Sequence, residues 1–344
     1  MRSDKPFRIT PFISLYSLTH LVVDASCAFL ILGILDINEH LILSILLYNG
    51  FAFALQAPFG FLIDKWLNPK SAAIIGLILV AASFLFWNTI FTAIIIISIG
   101  NALFHVGGGS LVLSLKNNKA TFSGIYIAPG GIGLALGSSI SVILNVNYMI
   151  FPLTLICLSL ILFFIKTPKF NHSAFGKGIT NFGVFIIILI MIPIAVRSLI
   201  GLSLAFPWKD NLYLYILLTL SIALGKVFGG ILADRYGLKK VGIGGLLVSI
   251  PLLCFYSSIP ALGILGAFIF NFVMPVTLIA ILNVIPESKG LSFGLTTVAL
   301  FIGALPVILH KTLWIENELT VLLLILSAAL ILSAAFYLSD KLKH

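Results

Sequence analysis

Apolar runs long enough to cross a membrane recur along the whole sequence, and they constrain the fold more than any other feature. A helix of about 20 apolar residues crosses about 30 Å of hydrocarbon. The runs lack the alternation of a membrane β-strand, and a helix satisfies every backbone group within its own segment. We count twelve predicted spans, at residues 11–35, 41–63, 71–87, 90–115, 120–145, 148–165, 180–206, 210–233, 241–258, 260–285, 290–310 and 318–338.

Composition agrees with a polytopic membrane protein. Of the 344 residues, 60% are hydrophobic and only 9% are charged, whereas soluble domains carry about 25% charged residues. The sequence therefore predicts an all-α membrane protein with twelve transmembrane helices, located in the plasma membrane, or in the inner membrane of a bacterium. The first run resembles a signal peptide, but it is longer and contains ionisable residues, so we interpret it as a retained span.

The distribution of basic residues predicts the orientation of the chain. With a cytoplasmic amino terminus, most of the 20 Lys and Arg residues fall in cytoplasmic segments, as the positive-inside rule requires. An even number of spans then returns the carboxyl terminus to the cytoplasm. The same scattering over short loops argues against nucleic-acid binding, which needs a clustered basic patch. We expect contacts with membrane lipids and none with nucleic acid.

The sequence contains an internal repeat with an offset of 170 residues. The segment "GFLIDKWLNPK" at 60–70 corresponds to "GILADRYGLKK" at 230–240. Such a repeat predicts two six-helix bundles of parallel orientation. We expect an amino-terminal bundle at 1–165, a cytoplasmic linker at 166–179 and a carboxy-terminal bundle at 180–344.

The repeated segment is predicted to act as a conformational latch at the cytoplasmic surface. Its glycine allows close approach of a neighbouring helix, its aspartate can cap or pair, and the cation that follows anchors the loop inside. A latch that breaks and re-forms suits a protein whose halves rock. The latch residues are Gly60, Asp64, Lys65, Gly230, Asp234 and Arg235.

This repeated pattern resembles the signature loop of the major facilitator superfamily, which follows helix two and again helix eight. The resemblance covers essentially the whole chain, although the first copy has Trp66, Leu67 and Asn68 where a glycine and a basic residue are usual. It implies a membrane transporter that works by alternating access.

Three further segments resemble the fosmidomycin-resistance efflux branch of that superfamily. They are "LTHLVVDA" at 18–25, "GNALFHVGGGS" at 100–110 and "APGGIGLALGSSI" at 128–140. The branch implies proton-driven efflux by an antiporter. It usually has Pro-Glu after the histidine of the fourth helix, where this chain has Val106 and Gly107, so the role of that glutamate is not carried over.

Asp24 is the only one of the eleven acidic residues that we predict deep within the bilayer. His20 precedes it by four residues, so the two side chains share one face of a helix. A buried ionisable group costs about 2.5–3.5 kcal/mol on insertion scales, and pairing reduces that cost. Because histidine titrates near neutral pH, Asp24 and His20 are the predicted proton-coupling site. A polar pair that only fixes helix packing is the alternative.

Two cations are predicted inside the membrane, Arg197 in helix seven and Lys226 in helix eight. They outnumber the one buried acid, so a positive charge remains for an anionic substrate. A structural salt bridge, or a lysine neutralised by burial, is the alternative. The neutral polar residues predicted to share this substrate-binding cavity are His105, Gln56, Asn49 and Asn271.

Together these residues predict a secondary active, proton-coupled transporter that moves a small organic anion or a phosphonate-like or drug-like solute. We expect no cofactor, no metal and no catalytic residues. His20 with Asp24 is too sparse for a metal site, and the sequence has no nucleotide-binding loop. A passive uniporter of the same fold and a non-transporting membrane sensor stay open, and the sequence does not fix import or export.

Overall fold

The chain folds as a bundle of apolar α-helices. The structure, a computed structural model, describes residues 8–35, 37–115, 119–143, 147–172, 180–311 and 317–342. In this part of the chain every regular element is helical. In chain order the helical segments are α1 (Ile9–Ile34), α2 (Asn38–Lys65), α3 (Pro69–Phe86), α4 (Ile90–Val112), α5 (Ala120–Ile143), α6 (Ile150–Phe164), α7 (Asn181–Ser203), α8 (Leu212–Tyr236), α9 (Leu238–Cys254), α10 (Pro260–Val284), α11 (Lys289–Ile308) and α12 (Glu318–Leu342).

Ten of these segments are long and apolar enough to cross a membrane. The two others, α6 and α9, are shorter, with 15 and 17 residues. The prediction of an all-α, multi-pass membrane protein is therefore confirmed for the described residues. The count of twelve spans and the cytoplasmic position of both termini stay predictions.

Polar side chains cap the amino termini of several helices. Asn68 accepts hydrogen bonds from the first backbone N–H groups of α3, and Pro69 follows it at a position where a missing N–H is harmless. Thr180 caps α7 and Asn211 caps α8 in the same way. These caps satisfy donors that apolar neighbours would leave unpaired.

Glycines let α5 pack directly on the backbone of α1. A Cβ added at Gly133 would overlap the carbonyl of Leu21, and one at Gly137 would overlap the carbonyl of Ala25. Only glycine permits so close an approach of two helices. This contact fixes the face of α5 that meets α1, and with it the surroundings of His20.

Contacts between the two predicted halves run through α2 with α11 and through α5 with α8. They repeat with the same offset as the sequence. Gly124 lies against the backbone of Lys226, and Gly294 lies against the backbone of Gln56. The domain limits stay predictions, and residues 173–179 of the predicted linker lie outside the described part of the chain.

Candidate functional site

Three ionisable side chains meet within the first half of the bundle, two on α1 and one on α4. His20 Nε2 lies 3.3 Å from Asp24 Oδ2, and His105 Nε2 lies 3.3 Å from Asp24 Oδ1. The two Nε2 atoms are 2.8 Å apart. We call His20, Asp24 and His105 the triad. The sequence paired the first two correctly but assigned His105 to the substrate cavity.

Hydrogen bonds to backbone carbonyls show which nitrogen of each imidazole carries a hydrogen. His20 Nδ1 lies 2.8 Å from the carbonyl oxygen of Tyr126, and His105 Nδ1 lies 2.8 Å from that of Asn101. A carbonyl only accepts hydrogen bonds, so both Nδ1 atoms carry a hydrogen and donate it. In the neutral rings both Nε2 atoms are therefore bare acceptors. These two acceptors face each other and the carboxylate of Asp24.

Three acceptors at such short range need a positive charge between them. One proton on either Nε2 supplies it, because the resulting imidazolium donates to the other ring and lies beside the carboxylate. The net charge of the triad is then zero, and without the proton it is −1. The described geometry is that of a site for one proton.

The triad also has the donor types of a metal site, since its ligand atoms lie within 4.8 Å of one another. The argument that His20 and Asp24 are too sparse for a metal is thus wrong in its premise, because His105 adds a second imidazole. Two ligands of tetrahedral zinc, each about 2.0–2.1 Å from the metal, lie about 3.3 Å apart. The Nε2 atoms of His20 and His105 are closer, at 2.8 Å. This separation fits a shared proton better than a metal.

The residues that surround the triad were not predicted from the sequence. Asn101 donates from Nδ2 to Asp24 Oδ1 at 3.2 Å, and its amide also lies 3.4 Å from the hydroxyl of Tyr48 and 3.5 Å from Cys27 Sγ. The hydroxyl of Tyr126 donates to the carbonyl of His105. Asn101 could have been noticed four residues before His105, whereas nothing in the sequence singles out Tyr126.

A proline in α5 brings side chains onto the backbone of one helical turn. Pro129 has no N–H for the carbonyl of Ile125, which instead accepts from Ser17 Oγ at 3.2 Å. The next carbonyl, that of Tyr126, accepts the hydrogen bond from His20 Nδ1. The carbonyl after it is that of Ile127. Ile127 accepts from Lys226 Nζ at 3.4 Å. Three consecutive carbonyls therefore bind side chains of α1 and α8.

Lys226 is buried in α8, and its Nζ lies against the same turn of α5 that contacts His20. Its side chain interacts electrostatically with Arg197 and Asp24. The bond to the carbonyl of Ile127 is the one hydrogen bond of Nζ that the described residues provide. An ammonium group has three donors, so the protein leaves two of them for other partners.

Arg197 on α7 is half-buried and only partly satisfied. Its Nη1 donates to Asn271 Oδ1 at 3.3 Å, whereas its buried Nε has no hydrogen-bond partner among the described residues. Asn271 itself lies against Gly225, next to Lys226. The structure thus groups Arg197, Asn271 and Lys226, three of the six residues predicted to bind substrate.

The remaining two predicted substrate residues bond mainly within their own helix. Asn49 Nδ2 donates to the carbonyl of Ile45, and Gln56 Nε2 donates to the carbonyl of Ala52. Gln56 is buried, and its Oε1 has no partner within the described part of the chain. Among the described residues, no hydrogen bond joins either side chain to the triad or to Arg197.

A small cavity lies among α5, α7, α10 and α11. Its volume is about 30 Å³, and Thr277, Thr296 and Thr297 are the polar residues in its mainly apolar lining. Such a volume holds only a few water molecules. In this conformation the cavity has no room for an organic solute.

Asp64 joins the end of α2 to the beginning of α11. Its carboxylate accepts hydrogen bonds from the backbone N–H groups of Gly290 and Leu291, each at 2.8 Å, and it is fully buried. Gly60 lies directly on the backbone of Gly290. A carboxylate at a helix amino terminus satisfies free N–H groups and complements the helix dipole.

Asp234 repeats this arrangement between α8 and α5. It accepts from the backbone N–H of Ala120 at 2.8 Å and from that of Thr121 at 3.0 Å, and also from the hydroxyl of Thr121. Gly230 lies on the backbone of the same two residues. The aspartates and glycines of the predicted latch thus bridge the two halves, and Asp234 differs from Asp64 in being exposed.

The cations of the latch lie over aromatic rings. Lys65 Nζ is 4.5 Å from the ring centre of Phe61, and the guanidinium of Arg235 is 5.2 Å from that of Tyr236. Such contacts keep the charged groups at the helix ends. The bridge between halves is made by carboxylate and backbone.

Comparison with known proteins agrees with this architecture. The family model of the Major Facilitator Superfamily matches residues 21–307. The E. coli fucose:proton symporter, in its crystal structure, is 17% identical, with 97% of this chain and 98% of that chain covered and a TM-score of 0.68. No curated protein matches the sequence.

Two other solved structures share the fold at lower identity. The human organic anion transporter MFSD10 is 13% identical, with 96% of this chain and 100% of that chain covered and a TM-score of 0.67. The nucleoside transporter NupG is also 13% identical, with the same coverage and a TM-score of 0.59. At such identities the likeness concerns the fold alone.

Proposed function

The chain belongs to the major facilitator superfamily, and from that premise we propose that it is a proton-coupled secondary transporter of a small organic anion. Members of this family are transporters and in general not enzymes, so we propose no catalytic activity. The motifs at 18–25, 100–110 and 128–140 support a place in the fosmidomycin-resistance branch. We also propose the plasma membrane as its location.

The triad is the observation that carries the proton coupling. His20 and His105 turn their bare Nε2 atoms toward Asp24, and the group holds one proton at no net charge. Loss of that proton changes the charge within the bundle by one unit. A change of this size at low dielectric is large enough to bias a conformational equilibrium.

The anionic substrate rests on Arg197 and Lys226. Both carry donors that the described protein groups leave unused. Buried cations with spare donors attract carboxylates and phosphonates, because charge-assisted hydrogen bonds are about twice as strong as neutral ones. The anion would bind between α7, α8 and α10, next to the turn of α5 that also contacts His20.

Alternating access would then proceed by opening and closing the latch. In the described conformation both aspartates cap helices of the opposite half, and the small cavity among α5, α7, α10 and α11 has no room for an organic solute. The side of the latch is closed, so substrate would enter from the other side. Opening would release both caps and expose Arg197 and Lys226 to the latch side.

Proton flux in reconstituted vesicles tests the proposal. Vesicles with an imposed pH gradient receive succinate, methylphosphonate or fosmidomycin, and solute and proton movement are recorded together. We expect solute-dependent proton flux that Asp24→Asn abolishes and that Asp340→Asn, at an exposed acid in α12, leaves unchanged.

Other outcomes assign other functions. Solute flux that ignores both the gradient and Asp24→Asn would make the protein a uniporter and the triad a packing cluster. A complete lack of flux across the panel, with intact folding, would favour the non-transporting sensor. The direction in which the proton gradient drives accumulation distinguishes symport from the antiport of the efflux branch.

A further inference from the structure

The direct partners of Asp24 among the described residues are two imidazoles and an amide, and neither cation is among them. Asp24 contacts both imidazoles and the amide of Asn101. Among the described residues, no carboxylate lies within ion-pair distance of Arg197 or Lys226. Within the described part of the chain neither cation therefore has a carboxylate in direct contact, and Asp24 acts on Lys226 only from a longer distance. The sequence had left open that one of the cations would pair with Asp24.

The charges of the triad and of the two cations indicate how many negative charges a ligand beside Arg197 and Lys226 should carry. The triad with its proton is neutral, so the charges of Arg197 and Lys226 are two positive charges that no carboxylate of the described residues pairs with. Uncompensated charge in a low-dielectric interior is costly, and paired charge is much less so. A singly charged solute would neutralise half of this excess, and a doubly charged one would neutralise all of it.

The two cations lie near enough to each other to interact electrostatically. Arg197 is bonded to Asn271, and Asn271 packs on Gly225, the neighbour of Lys226. The buried Nε of Arg197 has no partner in the described part of the chain, and Lys226 Nζ has one carbonyl at 3.4 Å. An unpaired buried donor favours an acceptor from outside the protein.

We propose that Arg197 and Lys226 form a site for a doubly charged oxyanion, of the dicarboxylate or phosphonate class, which binds while the triad holds its proton. Binding of this anion does not depend on the proposed function, whereas its transport across the membrane does. Loss of the proton leaves a charge of −1 on the triad, and Lys226 would then be shared between Asp24 and the ligand. Proton and dianion therefore bind together and favour each other.

Binding to the purified full-length protein tests this valence directly. Matched pairs of probes differ by one charge at nearly constant size: succinate against succinamate, glutarate against glutaramate, and methylphosphonate against its monomethyl ester. Affinity is measured by ligand-induced thermal stabilisation in detergent at weakly alkaline pH. We expect the dianion of at least one pair to bind at least about tenfold more tightly than its monoanion.

Variants of Arg197 and Lys226 test whether these two cations cause the preference for the dianion. Lys226→Gln and Arg197→Gln should each reduce the preference for the dianion to about threefold or less, and Asp340→Asn should leave it unchanged. Equal binding within every pair, or no stabilisation by any dianion of a folded protein, would overturn the proposal. A preference that survives both cation variants would overturn it as well.

The second part of the proposal, that the proton and the dianion bind together, is tested by measuring proton uptake. In weakly buffered solution, binding of the preferred dianion should take up protons, to a limit of about one for each ligand bound. Asp24→Asn should abolish this uptake. The titratable groups around the triad are Tyr48, Cys27, Tyr126 and Lys226, so uptake that persists in Asp24→Asn would reassign the proton.

Transport and binding can fail separately. A dianion preference without proton-coupled flux would refute the proposed function and keep the anion site. Coupled flux of a monoanion or a neutral solute would keep the transporter and refute the dianion.

Discussion

Removal of the Asp64 carboxylate should open the latch side of the protein. The carboxylate accepts two backbone hydrogen bonds at 2.8 Å and is fully buried. A hydrogen bond to a charged group contributes about 1.5–3 kcal/mol, so Asp64→Ala removes about 3–6 kcal/mol from the closed state. At about 1.4 kcal/mol for each factor of ten, the ratio of closed to open molecules should fall by about 10²–10⁴.

Maleimide labelling of a single cysteine at the interface reports this opening. Thr297 on α11 donates to the carbonyl of Phe53 across the interface and is buried in the closed state. In a cysteine-free background, Thr297→Cys should react slowly, and the addition of Asp64→Ala should increase its rate strongly. Ser249→Cys, buried within α9, is the control for general loosening and should react slowly in both proteins.

Two results would refute this reasoning. An equal labelling rate with and without Asp64→Ala would mean that the carboxylate does not hold the halves together. A parallel increase at Thr297→Cys and Ser249→Cys would indicate unfolding of the bundle. Asp64→Asn keeps one neutral acceptor, so its rate should lie between those of the parent and Asp64→Ala.

Three further predictions follow from the same contacts. Asp234→Ala should open the interface less than Asp64→Ala, because exposed Asp234 gains less from each charged bond; a larger effect in the Thr297→Cys assay would contradict this. Gly130→Ala should suppress coupled proton flux in a folded protein, since its Cβ would overlap His20 Nε2 and Asp24 Oδ2; unchanged flux would show that the triad geometry is dispensable. Treatment with a chelator should leave flux unchanged, and a loss that zinc restores would make the triad a metal site.

Sequence patterns were sufficient to predict features that repeat along the chain, and features for which only one kind of secondary structure is physically possible. Continuous apolar runs in a bilayer can only be helices, so the all-α fold followed from composition. The offset of 170 residues identified Asp64 and Asp234 as equivalent, and the structure gives them equivalent partners. It also related Gln56 to Lys226, which occupy matching places against Gly294 and Gly124.

The sequence was insufficient where a contact depends on how helices are rotated against each other. His20 and His105 are 85 residues apart, and they meet only because glycines bring α5 onto α1 and fix which face of α1 turns toward α4. The partners of Asp64 are backbone N–H groups. Almost every residue type has such a group, so the sequence does not show where these partners are. The charge available at the proposed anion site could not be predicted for the same reason, since the pairing of Asp24 with His105 decides what remains for Arg197 and Lys226.

The double latch has a consequence for the history of the chain. Asp64 caps the helix that begins at Lys289, and Asp234 caps the helix that begins at Ala120, so each half supplies one cap and one capped helix. Contacts that are exchanged in this way are those of a two-fold interface. A single six-helix ancestor with one aspartate and one such helix would therefore be complementary to a second copy of itself. Such a homodimer would have contained the bridge between the halves before gene duplication joined them.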